Sequence, residues 1–408
     1  MDCRFCHTHL TREFVDLVNS PPSNAYLAPE KLNDPENFFP LKLYVCDVCH
    51  LVQIDEYKKA DEIFSEDYAY FSSYSTSWLA HSRRYVDQMI SRFGYDKKSL
   101  VIEVASNDGY LLQYFKEREV PVLGIEPTLS TARVAREKGI ESLTEFFGVS
   151  LANRLAAEGK KANLLLGNNV LAHVPDINDF VGGIKIALAE NGVVTMEFPH
   201  VFQLVTQNQF DTIYHEHFSY LSFTTVRQIF KKHGLTLFDV EELPTHGGSL
   251  RIYGRHNEDD TKPETPAVQA LLKKEEQAGM TSPVFYSSFQ QKVDKVKIGF
   301  LQFLLEQNKA GKKVAAYGAA AKGNTLLNYC GVRKDFISFV VDASPHKQGK
   351  FLPGSHIPIV NEQVLRETKP DYIIILPWNI REEIMTQLTY VREWNARFVV
   401  AIPELTIL

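Results

Sequence analysis

Three features of this sequence predict an α/β chain: a small Cys-stapled module, then a doubly wound parallel sheet, then a second, smaller α/β unit. Two C-x-x-C pairs stand near the start, Cys3-Arg4-Phe5-Cys6 and Cys46-Asp47-Val48-Cys49. Short apolar runs alternate with amphipathic segments from about residue 100 to 198, and the same alternation restarts at 313. Buried strands separated by helices are the pattern of a parallel sheet with helices on both faces.

The Cys pairs come first. A C-x-x-C turn points two thiolates at one centre, and two such turns complete a tetrahedron around Zn²⁺. Cys3, Cys6, Cys46 and Cys49 fill all four positions, which leaves no coordination site for a catalytic water, so the site reads as structural. The competing reading is a pair of redox or disulfide couples. His7, His9 and His50 lie near enough in sequence to replace a ligand. The stretch between the pairs includes Pro21-Pro22-Ser23-Asn24 and looks too polar for a core of its own, so metal is expected to supply the folding energy. The fifth cysteine, Cys330, sits among apolar residues and reads as buried packing.

Composition bounds the function. The chain has 408 residues, 44% of them hydrophobic and 23% charged, with a net charge of −6. That length suits two to three domains. An acidic balance argues against non-specific nucleic-acid binding, which needs a basic face. No apolar run reaches the ~18 residues of a membrane span. The sequence MDCRFC runs directly into the Cys module, so no signal peptide and a cytoplasmic location are expected.

An aromatic, Ser-rich stretch follows the module and holds Tyr68, Tyr70, Phe71, Tyr74 and Trp78. A helix is expected over 79–93. Strands are expected at 100–105, 120–126, 162–167 and 192–198, with helices over 110–119, 130–138 and 177–188. The late unit has strands at 313–317, 336–341 and 372–376, and a helix opens after the small-residue turn Gly318-Ala319-Ala320-Ala321-Lys322-Gly323. A charged helical segment over 263–308 links the two units, with a boundary after the polar run 255–260. The expected domains are 1–65, 66–258 and 259–408.

The first strand ends in Glu103-Val104-Ala105-Ser106-Asn107-Asp108-Gly109, a strand, a tight turn and a helix start. Such a turn presents backbone N–H groups to a ligand. Glu126 ends the second strand, where an acid accepts hydrogen bonds from ribose hydroxyls. A carboxylate at the head of the turn and the lack of G-x-G-x-x-G favour a cationic sulfonium over a pyrophosphate. The segment resembles the class I S-adenosylmethionine-dependent methyltransferases, whose E/D-x-G-x-x-x-G appears here with Ala105 at the first Gly. The run from Leu166 through Asn168, Asn169 and His173 matches the family's loop after the fourth strand. The resemblance implies that Glu103, Ala105, Asn107, Gly109, Glu126, Asn168 and Asn169 bind S-adenosylmethionine.

The chain's densest polar cluster is Tyr214-His215-Glu216-His217-Phe218-Ser219-Tyr220. A metal is disfavoured, because H-E-H lacks the i, i+4 His spacing of zincins. An ordinary surface loop and an acid–base centre both remain open. The order of zinc module, methyltransferase core, Y-H-E-H and second Rossmann-like domain resembles the sugar C-methyltransferases. These methylate carbon 3 of a nucleotide-linked 4-keto-6-deoxysugar, and the match runs over essentially the whole chain. It implies His217 as the base that forms an enolate, Tyr214 at the ketone, and Glu216 and His215 as orienting groups. His173, Tyr74 and His246 are weaker candidates. Lys322, at the start of a helix that suits a diphosphate, and Asn324 and Lys347 would hold the nucleotide sugar between domains. The implied cofactors are S-adenosylmethionine and structural zinc, and the implied assembly is a monomer or small homo-oligomer. Two other classes stay open: an O- or N-methyltransferase on a sugar or small metabolite, and a zinc-knuckle binding protein with a decayed core.

Overall fold

The structure is a computed structural model that describes residues 1–57 and 71–408. Tyr68 and Tyr70 of the aromatic stretch, and the expected boundary near 65, lie outside the described residues.

Three sheets organise the chain. The first joins β1 (Arg12–Ser20), β2 (Phe39–Val45) and β3 (Val52–Ile54) in antiparallel order and ends on a strand from far downstream, β9 (Ser219–Tyr220). The second has seven strands in the order β10-β11-β8-β7-β4-β5-β6. Its members are β4 (Val101–Val104), β5 (Val122–Ile125), β6 (Ser142–Leu143), β7 (Ala162–Asn168), β8 (Leu188–Pro199), β10 (Leu235–Leu243) and β11 (Ser249–His256). The third runs β14-β13-β12-β15-β16-β17. It comprises β12 (Val314–Tyr317), β13 (Val340–Val341), β14 (Ile359–Val360), β15 (Tyr372–Ile375), β16 (Arg397–Val400) and β17 (Thr406–Ile407). In the second sheet β4, β5, β6, β7 and β8 are parallel, and in the third β12 to β16 are parallel. Each of these two sheets starts near its middle and reverses direction, at β4/β7 and at β12/β15. That reversal opens a crevice at the strand C-termini.

The α/β, doubly wound reading holds, with several local corrections. The second sheet gains the antiparallel hairpin β10–β11, which the apolar alternation did not announce. The first helix starts earlier than expected, at Thr76, because the Ser75 side chain caps it by accepting from Trp78 N. The helix after β4 is short, Leu112–Lys116, since Gly109 takes φ 74° and delays it. Strand β8 is longer than expected and begins at Leu188. The segment over 263–308 is three helices, Pro266–Gln277, Pro283–Ser287 and Phe289–Lys309, because Pro283 starts a new helix with Ser282 as its cap.

The Cys module is also not coreless. Phe14, Val15, Leu17, Leu41 and Leu43 are buried together with Phe289, Val293, Phe300, Leu326 and Leu327. Phe14 stacks on Phe289 with ring centroids 4.8 Å apart. On its other side Cys3, Phe5, Cys46, Cys49 and Leu51 pack into the core of the seven-stranded sheet with Leu221, Phe223 and Val226. Apolar burial at roughly 25 cal/mol/Å² therefore ties the module to both α/β units. Cys330 is buried packing, and burial pushes its thiol up to about 12. No helix of the described residues is long and apolar enough to cross a membrane.

Candidate functional site

The two C-x-x-C turns are near copies. His7 N donates to Cys3 O at 2.9 Å, and His50 N donates to Cys46 O at 3.0 Å. Both histidines take φ 61°. Cys3 N bonds Thr8 O and Cys46 N bonds Leu51 O at the same offset. Facing each other, the turns put Cys3 and Cys49 Sγ 3.5 Å apart and Cys6 and Cys46 Sγ 3.5 Å apart, with all four within 4.8 Å. A zinc tetrahedron with Zn–S of about 2.3 Å has sulfurs about 3.8 Å apart, whereas a disulfide needs about 2.05 Å. All the cysteines are free thiols. The Cys3 thiol is pulled down to about 4, first by the hydrogen bond from Cys49; backbone groups and Gln53 Nε2, at 3.2 Å, act the same way. A thiolate among three further sulfurs is the donor set that zinc takes. His7, His9 and His50 are outside it.

The cofactor-binding residues expected from sequence meet at the ends of β4, β5 and β7. The turn after β4 is tightly wound: Ala105 takes φ 56° and Asn107 φ 49°. Ala at the position of the motif's glycine therefore carries backbone strain that glycine would not. A side chain on Gly109 would sit 2.4 Å from Ile140. Glu126 is buried after β5 and anchors this turn. Its Oε2 accepts from Asn107 N and its Oε1 from Thr128 N, both at 2.9 Å. Each oxygen keeps a lone pair, as a ribose diol needs. Glu103 is fully buried; burial pushes its carboxyl well up, opposed by the Tyr110 hydroxyl. A cationic ligand would favour its ionised form. At the end of β7, Asn168 Nδ2 and Asn169 Oδ1 are buried without hydrogen-bond partners, and Asn169 takes φ 56°. These two orphaned groups and the acid pair fit a ligand that is both cationic and polar, as S-adenosylmethionine is.

The Tyr214–Tyr220 loop leads into β9, so the four-stranded sheet fixes it. Val52 pairs with Tyr220, and Ile54 N bonds Phe218 O. His217 is buried, and its Nδ1 lies 3.0 Å from Thr212 O. A carbonyl only accepts, so Nδ1 carries the proton and Nε2 the basic lone pair. Burial holds the His217 pKa well below the usual imidazole value, and repulsion from His173, once that ring is protonated, acts in the same direction. Its ring centroid is 4.0 Å from that of Tyr214 and 4.6 Å from that of His173. His173 is itself lowered to about 4 by burial. Tyr220 Oη accepts from Tyr214 N at 3.3 Å. Glu216 Oε1 accepts from Asn24 Nδ2 at 2.7 Å. His215 turns away, its Nε2 3.2 Å from Pro40 O and its ring against Phe39 and Tyr57. The structure thus gathers Tyr214, His217 and His173, and gives Glu216 and His215 to the Cys module.

The remaining expected residues divide. Lys322 Nζ is held by Asn379 Oδ1 at 3.0 Å and stands 4.7 Å over the Trp378 ring. Asn324 is fully buried with Nδ2 unpartnered. Lys347 Nζ bonds Ala319 O at 2.9 Å and covers the Tyr26 ring. Tyr74 is exposed, its Oη 3.2 Å from His346 Nε2, so it sits on the surface. His246 lies beside the loop after β7, its Nε2 3.0 Å from Asn169 Nδ2 and its ring 5.3 Å from Trp78.

Sequence reasoning passed over Asn24, Tyr26, Asp211 and Trp378. Asn24 belongs to the polar Pro-rich stretch, yet it reaches Glu216. Tyr26 Oη donates to Ala319 O at 2.6 Å, closing the module onto the third sheet. No local motif marks any of the four.

Three family profiles match in series: a zinc binding domain over residues 3–64, a methyltransferase domain over 78–240 and a C-methyltransferase C-terminal domain over 244–403. The C-methyltransferase NovU of Streptomyces niveus is 34% identical over 403 residues, 99% of this chain and 96% of that protein. Among solved structures, a SAM-dependent methyltransferase from Anabaena variabilis is 15% identical, spanning 50% of this chain and 99% of its own, at a TM-score of 0.38. The magnesium protoporphyrin IX methyltransferase of Synechocystis with bound SAM is 13% identical, spanning 43% and 78%, at 0.33.

Proposed function

This chain belongs to the C-methyltransferase family and is an S-adenosylmethionine-dependent enzyme with a zinc centre, and we propose that it methylates carbon 3 of a nucleotide-linked 4-keto-6-deoxysugar, in branched deoxysugar biosynthesis in the cytoplasm, with His217 as the base. The single observation that carries the reading is the state of His217. It is buried, neutral, and protonated on Nδ1 by its bond to Thr212 O, so Nε2 is basic and held in one orientation.

A ketone at carbon 4 acidifies the hydrogen on carbon 3. Nε2 of His217 takes that proton, and the electron pair becomes an enolate. Tyr214, packed on the His217 ring, is the donor for the enolate oxygen. The charge that develops there gains most from a fixed donor in a site shut off from water. His173 borders the same space, and burial keeps His217 neutral. S-adenosylmethionine, when bound, supplies an electrophilic methyl group. Glu126 would hold its ribose, Glu103 would face its cationic end, and Asn168 and Asn169 would take its polar groups. Their task is alignment, because carbon 3 and the methyl must approach in line. On the sugar side, Lys322, Asn324 and Lys347, which border the switch point of the third sheet, would hold the nucleotide diphosphate.

The test is a mass-spectrometric screen of TDP- and GDP-linked 4-keto-6-deoxysugars with S-adenosylmethionine. A gain of one methyl on a 4-keto sugar, absent when the ketone is reduced beforehand, supports the reading. Methylation that does not need the ketone contradicts it.

A further inference from the structure

The loop that carries His217 is clamped from the C-terminal unit as well as from the Cys module. Its stem is the 3-10 turn Phe210–Thr212. Asp211 in this turn is fully buried, and its Oδ2 accepts the indole N–H of Trp378 at 2.7 Å. Trp378 opens the segment after β15, in the other α/β unit. The residue after Asp211 is Thr212, whose carbonyl is the acceptor for His217. Trp378 is fixed in turn. Lys322 stands over its ring, and its edge fills the space beside Gly247, where an added side chain would be 2.4 Å away. Gln209, at the start of the stem, donates Nε2 to that same Gly247 O at 2.7 Å. From the far side, Thr325 Oγ1 donates to Ile213 O at 2.8 Å. The stem is thus gripped by the C-terminal unit at Asp211 and at Ile213, and Thr212 between them sets the base.

We infer that Trp378 is a positioning residue for the base: its N–H on Asp211 fixes the Thr212 carbonyl, and that carbonyl keeps His217 in the Nδ1–H tautomer with Nε2 basic. The inference rests on His217 being the base. Loss of the indole bond frees the stem to rotate, and the His217 ring or its tautomer goes with it. Either change moves the lone pair off the proton it must take, and a misplacement of about 1 Å can cost roughly 10²-fold in rate. None of these contacts involves Glu126 or the turn after β4, so methyl-donor binding is predicted to be untouched.

The test uses the full chain with its zinc. Trp378→Phe keeps a ring beside Gly247 and under Lys322 but has no N–H. The expected result is a fall in kcat of about tenfold to a hundredfold, with KM for both substrates and S-adenosylmethionine affinity changed by less than about twofold. Deuterium exchange at carbon 3 in D₂O, with S-adenosylhomocysteine bound, falls by the same factor. Asp211→Leu removes the acceptor from the other side and gives the same fall in kcat and in exchange; because Asp211 also faces the Lys322 charge, these two readouts and not the sugar KM are compared in it, and it stands in should the first variant not fold. His217→Asn serves as reference. If it abolishes exchange while either folded variant exchanges at the wild-type rate, or raises KM with kcat unchanged, Trp378 does not position the base, and the base assignment survives. If His217→Asn exchanges normally, the base assignment falls and this inference with it.

Discussion

Asn24 of the Cys module donates its amide to the Glu216 carboxylate at 2.7 Å, across 192 positions of sequence. With the pairing of Val52 to Tyr220 it makes the Cys module one wall of the candidate active site. A structural metal centre remote from the chemistry is thereby coupled to it.

Cys46→Ser is predicted to remove one zinc ligand and lower the unfolding midpoint, because metal binding energy is folding energy in such modules. Metal analysis should find about one zinc per chain in the wild type and less in the variant. Activity falls as the β3–β9 pairing loosens, while residual folded protein retains methyl-donor affinity. A wild type that is metal-free and fully stable contradicts this.

Asn24→Leu leaves the Glu216 carboxylate short of one donor. A lost hydrogen bond to a charged group costs about 1.5–3 kcal/mol. The loop should loosen, with kcat reduced and S-adenosylmethionine affinity unchanged by calorimetry. A variant with wild-type kcat would show that the contact is dispensable.

With Glu126 at the ribose as proposed, Glu126→Ala removes two charge-assisted hydrogen bonds, each worth about 1.5–3 kcal/mol. It also frees the N–H groups of Asn107 and Thr128. Methyl-donor affinity should drop by two orders of magnitude or more, while nucleotide-sugar affinity holds. Unchanged donor binding would refute the role.

Acid should weaken the fold before it slows the folded enzyme. His173 and His246 are lowered to about 4 by burial, and His215 and His217 are also lowered, again first by burial. A histidine whose folded pKa lies below the unfolded value near 6.5 binds more protons when unfolded. Stability is therefore full above about pH 6.5 and declines as pH falls from there toward 4. His217, held well below the usual imidazole value, stays neutral as pH falls through 6.5, so with His217 as the proposed base kcat should hold there. Thermal midpoints and kcat measured from pH 8 to 4 check both. A kcat that halves near pH 6.5 in folded enzyme would assign the base to an unperturbed group.

The parts legible in the sequence are those with local signatures. Cys spacing located the metal centre, and apolar runs located β4, β5, β7 and β12. The glycine and acid positions located the turn after β4 and the Glu126 that anchors it, and the Tyr214–His217 run stood out by density alone. The hairpin β10–β11 was hidden because its inner face buries charge: Arg251 pairs with Glu197 at 3.0 Å and Glu241 at 3.1 Å, which breaks the apolar alternation. Asn24, Asp211 and Trp378 were hidden for a different reason. Each acts through one contact with a partner from another sheet, and no periodicity along the chain encodes such a contact. The core of the Cys module was missed likewise, since Phe14 and Leu17 are buried by Phe289 and its neighbours rather than by the module itself.

The most direct measurement of the central claim is proton NMR of a nucleotide-linked 4-keto-6-deoxysugar in D₂O with enzyme and S-adenosylhomocysteine. Without a methyl donor, only the proton-removal step can run. The wild type should wash deuterium into carbon 3, and His217→Asn should slow this by on the order of 10²–10⁴ while still binding both ligands. Exchange at the wild-type rate in His217→Asn would contradict the account.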